Sequence, residues 1–472
     1  MMVRSVKTQA VRSFMILLLS VLLTGPTRAE TLADTLVSAY NNSGLLEQNR
    51  ALLRAADEDV AQIVSGLRPI IDWSTDISRT FGRTQSSNFP GRSISSNDLT
   101  VSLTLDLLLY DFGRTHLRIQ AAKETVLATR ETLRSIEQQV LLSAVTAYMN
   151  VRRNRELVSV RKNNLGLLRE ELRAAQDRFE VGEVTRTDVA LAEAQFASAR
   201  SGLASAEGNL TQAIEEFTRT VGRPPGQLRI PERLPQLSED AEAAKKIALR
   251  NHPDIRKAQF DVAAADLTVT AAEAAMKPTV NLRTRFSAGE ELGGSDFDRQ
   301  GSVGLSVSGP IYQGGRLSSA VRQAAAQRDA RRGTLHTTSL EVARNVGNAY
   351  ARLRATRASR LAGEEQVRAA RLAFEGVSEE ARLGARTTLD VLDAEQDLLD
   401  AEAGLIGSEA DFYIAAYEVL ATIGQLTVED LNLDVTTYDP AAYYKLVKDA
   451  PVPISPQGQK LDRVLRALGK DR

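Results

Sequence analysis

Aspartate side chains recur on one face of a segment near the C-terminal end of the chain. In "LGARTTLDVLDAEQD", from Leu383 to Asp397, acids stand three and four residues apart at Asp390, Asp393 and Asp397, and Asp400 continues the series. In a helix these spacings place the carboxylates on one face, where like charges repel one another. Paired carboxylates could act as a general acid and base, or they could line a cation-attracting constriction.

The first two acids also have a purely structural explanation. Asp390 and Asp393 stand near the start of a predicted helix, where the helix dipole stabilises a carboxylate by about 0.3–1 kcal/mol. That explanation does not reach Asp397 and Asp400, because the dipole effect fades beyond the first turn. A solvated acidic surface and a charged ring both remain open as interpretations of this stripe.

Catalytic patterns are sparse elsewhere in the chain. His116, His252 and His336 are scattered and lack the spacing of metal ligands. Neither a Gly-x-Ser-x-Gly elbow nor a phosphate-binding loop occurs. We therefore predict that the protein is not an enzyme and has neither a metal site nor a cofactor. The formal net charge of −1 provides no basic field, so no nucleic-acid partner is expected.

The first 29 residues are typical of a secretory signal peptide. Arg4, Lys7 and Arg12 form a positive region before the apolar run "FMILLLSVLLTG", and Ala29 offers a small residue for cleavage. The run is too short to cross a membrane comfortably as an anchor. Cysteine is absent, which excludes disulfides and a lipid-acceptor cysteine. The sequence predicts an exported protein from which residues 1–29 are removed.

Most of the chain is one unit written twice. Tyr312 in "IYQGGR" stands 202 residues after Tyr110 in "LYDFGR". We predict a first repeat at residues 30–225, a second at 226–435 and a C-terminal tail at 436–472. The same offset relates further identical residues without a gap: Gly113/Gly315, Arg114/Arg316, Val140/Val342, Ala147/Ala349, Tyr148/Tyr350, Gly182/Gly384, Thr185/Thr387, Asp188/Asp390, Glu193/Glu395 and Gly222/Gly424.

Each repeat is predicted to form a helix, two strands, a long helix, a turn and a returning helix. No proline occurs between Pro90 and Pro224, and an unbroken helix from Arg114 to Glu180 would be about 100 Å long. Its apolar residues follow two seams, which indicates a helix packed on both sides, as in a ring of helices. The seams are Leu133, Ile136, Val140, Ala144, Ala147 and Val151, and Leu141, Val145 and Tyr148.

Four segments alternate apolar and polar residues and are predicted strands: "IIDWSTDI", "LTVSLTLDLLLYDFG", "TVNLRTRF" and "GSVGLSVSGPIY". About ten residues per strand suits a membrane-spanning β-strand. The polar stretches between them, "GRTQSSNFPGRSISSND" and "AGEELGGSDFDRQG", are predicted surface loops. Open sheet edges cannot face lipid, and four strands are too few to close a barrel. Either several chains share one barrel, or the hairpins belong to a soluble domain.

Over residues 30–432 the chain resembles the TolC family of outer-membrane efflux proteins. The resemblance rests on the duplicated unit, "RNHPDI", "YQGGR", "VGEVTRTDV" and "LGARTTLDVLDA". It implies a mainly α fold with a membrane β-barrel part, located in the outer membrane of a Gram-negative bacterium and extending into the periplasm. Three protomers with four strands each would form one 12-stranded barrel, continued by a long periplasmic α-helical barrel.

The resemblance implies a passive exit duct for drugs, small molecules or secreted proteins, in a tripartite efflux or type I secretion system. The implied partners are two further protomers in a homotrimer, outer-membrane lipid, a periplasmic adaptor, and an inner-membrane pump of RND or ABC type. A soluble periplasmic coiled-coil adaptor or structural protein is the alternative. Adaptors also have long hairpins, but they lack a full-length duplication with membrane-length strands in both copies.

Six residues receive roles from the resemblance. Gly182 and Gly384 match the two periplasmic helix-turn-helix tips that meet the adaptor. Asp390 and Asp393 match the acidic residues that ring the closed periplasmic entrance.

Arg386 and Asp188 match residues whose links between neighbouring helix pairs hold that entrance shut. Where the best-known member of the family has a tyrosine three residues before the second tip glycine, this chain has Ala381. The closing network implied here therefore lacks a tyrosine hydrogen bond at that position.

The C-terminal tail departs from the repeat. Pro451, Pro453 and Pro456 predict an irregular stretch. The segment "LDRVLRAL" could form a short amphipathic helix, which is either disordered or wraps around the waist of a helical barrel.

Overall fold

A computed structural model describes residues 30–86, 89–231, 234–238 and 240–469, and the predicted signal peptide lies outside them. The described part is mainly helical with one four-stranded sheet, as predicted. The elements are α1 (Leu32–Asn42), α2 (Gly44–Ser65), β1 (Ile70–Ser86), β2 (Phe89–Tyr110), α3 (Arg114–Glu180), α4 (Arg186–Val221), α5 (Ala241–Asn251), α6 (Pro253–Ala274), β3 (Thr279–Glu291), β4 (Phe297–Ser308), α7 (Arg316–Arg382), α8 (Thr388–Ile423), α9 (Ala442–Val447) and α10 (Pro456–Ala467).

The sheet is antiparallel and its strands lie in chain order, β1-β2-β3-β4. The prediction of two long surface loops is largely wrong, because most of their residues belong to strands. β1 continues to Ser86 and β2 begins at Phe89, while the turn between β3 and β4 lies only between Glu291 and Phe297. Strand pairing continues through these polar residues because it gives their backbone N–H and C=O groups hydrogen-bond partners. The strands therefore extend beyond the segments in which apolar and polar residues alternate. The β1–β2 pair is much longer than the β3–β4 pair, with strands of 17 and 22 residues against 13 and 12.

The strand register places apolar side chains together on one face of the sheet. Trp73 pairs with Leu103, Leu103 pairs with Phe286, and Leu282 pairs with Leu305. The Trp73 side chain is 76% exposed in the single chain. The opposite face is polar and includes an ion pair between Nε of Arg283 and Oδ1 of Asp106, 2.6 Å apart. An exposed apolar face of this size needs lipid or protein against it.

Helices α3 and α7 have 67 residues each, which corresponds to a length of about 100 Å. Helix α3 has the predicted bounds, and the middle of both predicted seams is buried: Leu141, Ala144, Val145, Tyr148 and Val151 are each 0% exposed. Leu133 and Ile136, at the start of the first seam, are partly buried. Within the described ranges, no helix is both long enough and apolar enough to cross a membrane.

The two copies use the same contacts to tie the long helices to the segment between the repeats. The hydroxyl of Tyr148 donates to the carbonyl of Arg229 at 2.6 Å. Its counterpart Tyr350 donates to the carbonyl of Ser238 at 2.8 Å. Each tyrosine therefore anchors the middle of a long helix, and the core packs around them.

The tail packs along α2. Helix α10 contains all but the last residue of the predicted amphipathic segment, and α9 precedes it. The hydroxyl of Tyr443 donates to Oε1 of Glu58 at 2.6 Å, and Nη1 of Arg68 donates to the carbonyl of Ala450 at 2.5 Å. Among the described residues the tail is therefore docked rather than disordered.

Candidate functional site

Two turns with the same geometry end the long helices at one end of the molecule. We call residues 181–185 the first tip and residues 383–387 the second tip. Gly182 and Gly384 have φ values of 78° and 79°, which side chains other than glycine rarely adopt. The N–H of Glu183 donates to the carbonyl of Arg178 at 2.9 Å, and the N–H of Ala385 repeats this bond to Glu380 at 2.9 Å. Both glycines therefore have the predicted turn geometry.

Each returning helix begins with a reciprocal capping box. In the first copy, the N–H of Asp188 donates to Oγ1 of Thr185 at 3.3 Å, and Oδ2 of Asp188 accepts from the N–H of Thr185 at 2.8 Å. Thr387 and Asp390 form the same pair of bonds, at 3.3 and 2.9 Å. These contacts satisfy backbone N–H groups that a helix start leaves unpaired.

The capping bonds also fix the ionisation of both aspartates. The hydroxyl of Thr185, and then its N–H, lower the pKa of Asp188 below its ordinary value. The N–H of Thr387, and then its hydroxyl, lower the pKa of Asp390 in the same way. Both carboxylates are held as anions, and each has a structural role that is independent of any ring or link.

Arg386 pairs within its own turn. Its Nε lies 2.8 Å from Oε2 of Glu380, and this hydrogen bond, with the charges of Glu380 and Asp390, raises the pKa of Arg386. In the described single chain, neither a hydrogen bond nor an ion pair joins Arg386 to Asp188. The predicted link between neighbouring helix pairs stays a prediction, and both residues have local partners with which it would compete.

The remaining acids of the stripe differ in their surroundings. Asp393 and Asp397 are exposed on α8. Asp400 is also exposed, and both of its carboxylate oxygens accept from Nε2 of Gln396 at 3.0 Å. Asp393 has no capping role, because it lies one turn beyond the box. It is therefore the acid near the tip whose charge is most available to ions.

A buried carboxyl between the long helices α3 and α8 was not predicted. The amide of Asn164 on α3 donates to Oε1 of Glu395 on α8 at 2.8 Å. Glu395 is 4% exposed, and no described donor reaches its Oε2 atom. Burial, opposed by the Asn164 bond and reinforced by the charge of Glu171, raises the pKa of Glu395 to about 7.

The only indication in the sequence that Glu395 has a structural role is that the same residue type occurs at the equivalent position of the first repeat. Glu395 matches Glu193 across the two copies, so it belongs to the duplicated framework rather than to the acidic stripe. Leu392, one turn before Glu395 on α8, is buried in one cluster with Leu168 of α3. Sequence periodicity alone could not identify Asn164 as the partner, because 231 residues separate them.

The long helices form a row in the order α4, α3, α8, α7, with adjacent members in contact. We call α3 with α4 the first hairpin and α7 with α8 the second hairpin. Each tip exposes an apolar side chain at the same repeat position: Val181 is 72% exposed and Leu383 is 85% exposed.

Comparison with known proteins identifies the family of this chain. A sequence model described as outer membrane efflux protein matches residues 35–223 and 245–425, which is more than half of the chain. The chain belongs to the outer membrane efflux protein family. It is 37% identical to outer membrane efflux protein BepC of Brucella suis, over 92% of this chain and 94% of BepC. It is 25% identical to outer membrane protein TolC of Escherichia coli, over 84% of each chain.

The fold is shared with solved channels of this kind. The Campylobacter jejuni CmeC outer membrane channel superposes with a TM-score of 0.75 at 17% identity, covering 88% of this chain and 89% of CmeC. The family match and the relatives, rather than this likeness of fold, make the protein an outer-membrane efflux or secretion duct that extends into the periplasm, and the alternative of a soluble adaptor is not favoured. The family that matches is one of outer-membrane efflux channels.

His252, one of the histidines considered for chemistry, has a structural role. Its Nδ1 accepts the N–H of Asp254 at 3.2 Å at the start of α6. Burial lowers its pKa, opposed by the charge of Asp254. A neutral ring is the form that can accept this bond, so His252 is a helix cap.

Proposed function

We propose that three copies of this chain form one continuous duct, whose closed periplasmic mouth is opened by an adaptor and an inner-membrane pump that deliver small-molecule cargo. The open edges of the chain carry this proposal. Among the described residues, β1 and β4 each pair on one side only, and α4 and α7 end the helix row. Unpaired strand edges are too costly to leave in lipid, so β4 of one copy pairs with β1 of the next.

The apolar face of the sheet supports a membrane location for the strands. In a closed ring of three copies, this face turns outward to lipid and the polar face lines the lumen. Trp73, Leu103 and Leu305 then belong to the lipid-facing band. Arg283 and Asp106 belong to the aqueous side, where their ion pair remains hydrated.

The second tip supplies the proposed closure. Three copies of Asp393 and Asp390 surround the mouth as an acidic ring, which attracts cations and gives the closed state its selectivity. Arg386 and Asp188 link neighbouring hairpins at the same level. Ala381 contributes no hydroxyl to this closure. The local pairing of Arg386 with Glu380 competes with the link between Arg386 and Asp188.

The adaptor is proposed to bind the tips. Val181 and Leu383 expose apolar side chains beside Gly182 and Gly384, and exposed apolar groups at such turns are typical of protein contacts. An adaptor that covers both residues would draw the hairpins apart and expose the lumen. Efflux is favoured over protein secretion because the relative that is 37% identical is named an outer membrane efflux protein.

A deletion strain tests this function. We expect loss of the gene to increase drug sensitivity and leave the secreted proteins unchanged, and the wild-type chain to restore resistance. A double variant, Val181→Asp with Leu383→Asp, should fail to restore resistance although it still forms heat-modifiable trimers in the outer membrane. Unchanged drug sensitivity, or a soluble periplasmic monomer, would contradict the proposal.

A further inference from the structure

One internal seam of the chain has a counterpart that a single chain cannot form. The seam joins α3 to α8, in the middle of the helix row. The offset of 202 residues relates Arg114 at the start of α3 to Arg316 at the start of α7, and it likewise relates α4 to α8. The counterpart of the internal seam is therefore a contact between α7 and α4, which lie at opposite ends of the row.

Polar and apolar contacts run along the internal seam, among them an ion pair between Nη1 of Arg153 and Oδ1 of Asp411, 3.5 Å apart. Nη2 of Arg152 lies 3.9 Å from Oε1 of Glu409. Nearer the tips, Asn164 donates to Glu395 at 2.8 Å. Nearer still, Leu168 and Leu392 are buried in one cluster. As positions on α3 advance towards the tip, positions on α8 retreat by nearly the same number, which is the register of two antiparallel helices.

The same offset places side chains of the same chemical type on α7 and α4, the helices at the two ends of the row. Arg152 and Glu409 correspond to Arg354 and Glu207, again a cation and a carboxylate.

Asn164 and Glu395 correspond to Gln366 and Glu193, again an amide and a carboxylate. Leu168 and Leu392 correspond to Ala370 and Ala190, both apolar.

The side chains on the free helices are available for such a contact. Arg354, Glu207, Gln366 and Glu193 are all exposed, whereas Arg152 is buried within the internal seam. Glu207 already lies 3.3 Å from Nζ of its own Lys162, but half of its side chain remains exposed and can accept a second cation. Arg152 similarly contacts two carboxylates, those of Glu156 and Glu409.

We propose that α7 of one chain packs on α4 of a second copy in the register of the internal seam, with Gln366 hydrogen-bonded to Glu193 and Arg354 paired with Glu207. This inference rests on the proposed homotrimer and adds the residue-level contact between its subunits. It predicts six amide–carboxylate pairs at one level of the duct, three within chains and three between them. The occupant of these helix faces is a second copy, because one offset reproduces a charged pair, an amide–carboxylate pair and an apolar pair together. The Arg153–Asp411 pair is not reproduced, since its counterparts are Ala355 and Asn209.

Cysteine cross-linking tests the register directly, because the chain has no cysteine of its own. Full-length chains carrying Q366C with E193C are treated in outer-membrane vesicles with a short bismaleimide and separated on denaturing gels. We expect dimers and trimers. The pair N164C with E395C is the matched control, because its cross-link lies within one chain and should leave a monomer. A370C with A190C repeats the test with small substitutions that preserve packing.

A register control separates a specific seam from general proximity. Q366C with E207C moves one cysteine by 14 residues, about 21 Å along α4, and should give no ladder. Native trimers that cross-link through Q366C with E207C, or through none of these pairs, would overturn the register while leaving the homotrimer intact. Native monomers without any ladder would overturn the homotrimer as well.

Discussion

The amide of Asn164 donates to Oε1 of Glu395 across 2.8 Å, and this bond joins the first hairpin to the second well inside the molecule. The carboxyl is buried and its second oxygen lacks a described donor. Any motion that separates α3 from α8 must break this bond and expose the carboxyl to water. The contact therefore couples the separation of the hairpins to the ionisation of one side chain.

Glu395→Gln is expected to remove a pH-dependent loss of stability. The pKa of Glu395 rises from 4.5 to about 7 on packing, so the packed state prefers the protonated form. Stability is complete below 4.5 and falls as pH rises towards 7, by up to roughly 1.4 kcal/mol per pH unit. In thermal unfolding from pH 4 to 9, we expect the variant to exceed the wild type at pH 8, with the difference vanishing near pH 4.

Asp397→Asn is the control for this measurement, because Asp397 is an exposed carboxylate on the same helix. It should follow the wild-type pH dependence. A Glu395→Gln variant with the same pH dependence as the wild type would show that the carboxyl is ionised when packed.

Arg386→Glu is expected to weaken the closed mouth and raise the single-channel conductance in planar bilayers several-fold. The variant loses any link to a neighbouring hairpin and also places two acids together in the second tip, because Glu380 lies beside Arg386. The swap variant, Glu380→Arg with Arg386→Glu, restores the local ion pair but not a link to Asp188. A swap variant with wild-type conductance would show that the local pair alone is responsible.

Asp393→Asn is expected to reduce cation selectivity and block by multivalent cations, measured as reversal potential and current in bilayers. Its charge is exposed and does not cap a helix. Asp397→Asn, further from the tip, should have a smaller effect. Asp390→Asn is a poorer test because it also weakens the box with Thr387, and loss of a helix cap costs roughly 1 kcal/mol. Equal selectivity in all three variants would contradict the acidic ring.

Gly384→Ala is expected to destabilise the second tip locally. The residue has a φ of 79°, and a methyl group there would meet only open space, so the strain is confined to the backbone at roughly 1 kcal/mol. Hydrogen exchange should accelerate at residues 383–390 without a change in trimer dissociation temperature. Gly384→Asn should exchange more slowly than Gly384→Ala, since asparagine tolerates this conformation better. The reverse order would argue against a strained turn.

Local rules predicted much of the fold. The absence of proline and the apolar seams gave the bounds of α3, and the repeated glycines gave the two turns, because these depend on neighbouring residues. The predicted strand ends were wrong, because pairing between β1 and β2 continues through mostly polar residues as far as the pair Ser86 and Phe89. Strand length is a property of the pair rather than of either sequence.

The candidate site was less accessible to sequence reasoning. The stripe identified Asp390, but its main contact in the chain is the capping box, which also explains Asp188. Glu395 was visible only as a repeated residue, since its burial depends on the packing of two hairpins that are distant in the chain. The proposed contact between subunits involves exposed faces of α4 and α7. Only the offset between the two repeats relates these faces to the internal contact of α3 with α8.

Side-specific block of the wild-type channel tests the central claim most directly. The purified protein in planar bilayers is predicted to show a small, cation-selective conductance that multivalent cations block when they are added on the periplasmic side, where the tips are proposed to lie. This result would place a charged constriction at the tips of a continuous duct. A protein that does not conduct, or one whose current is blocked only from the opposite side, would contradict the account.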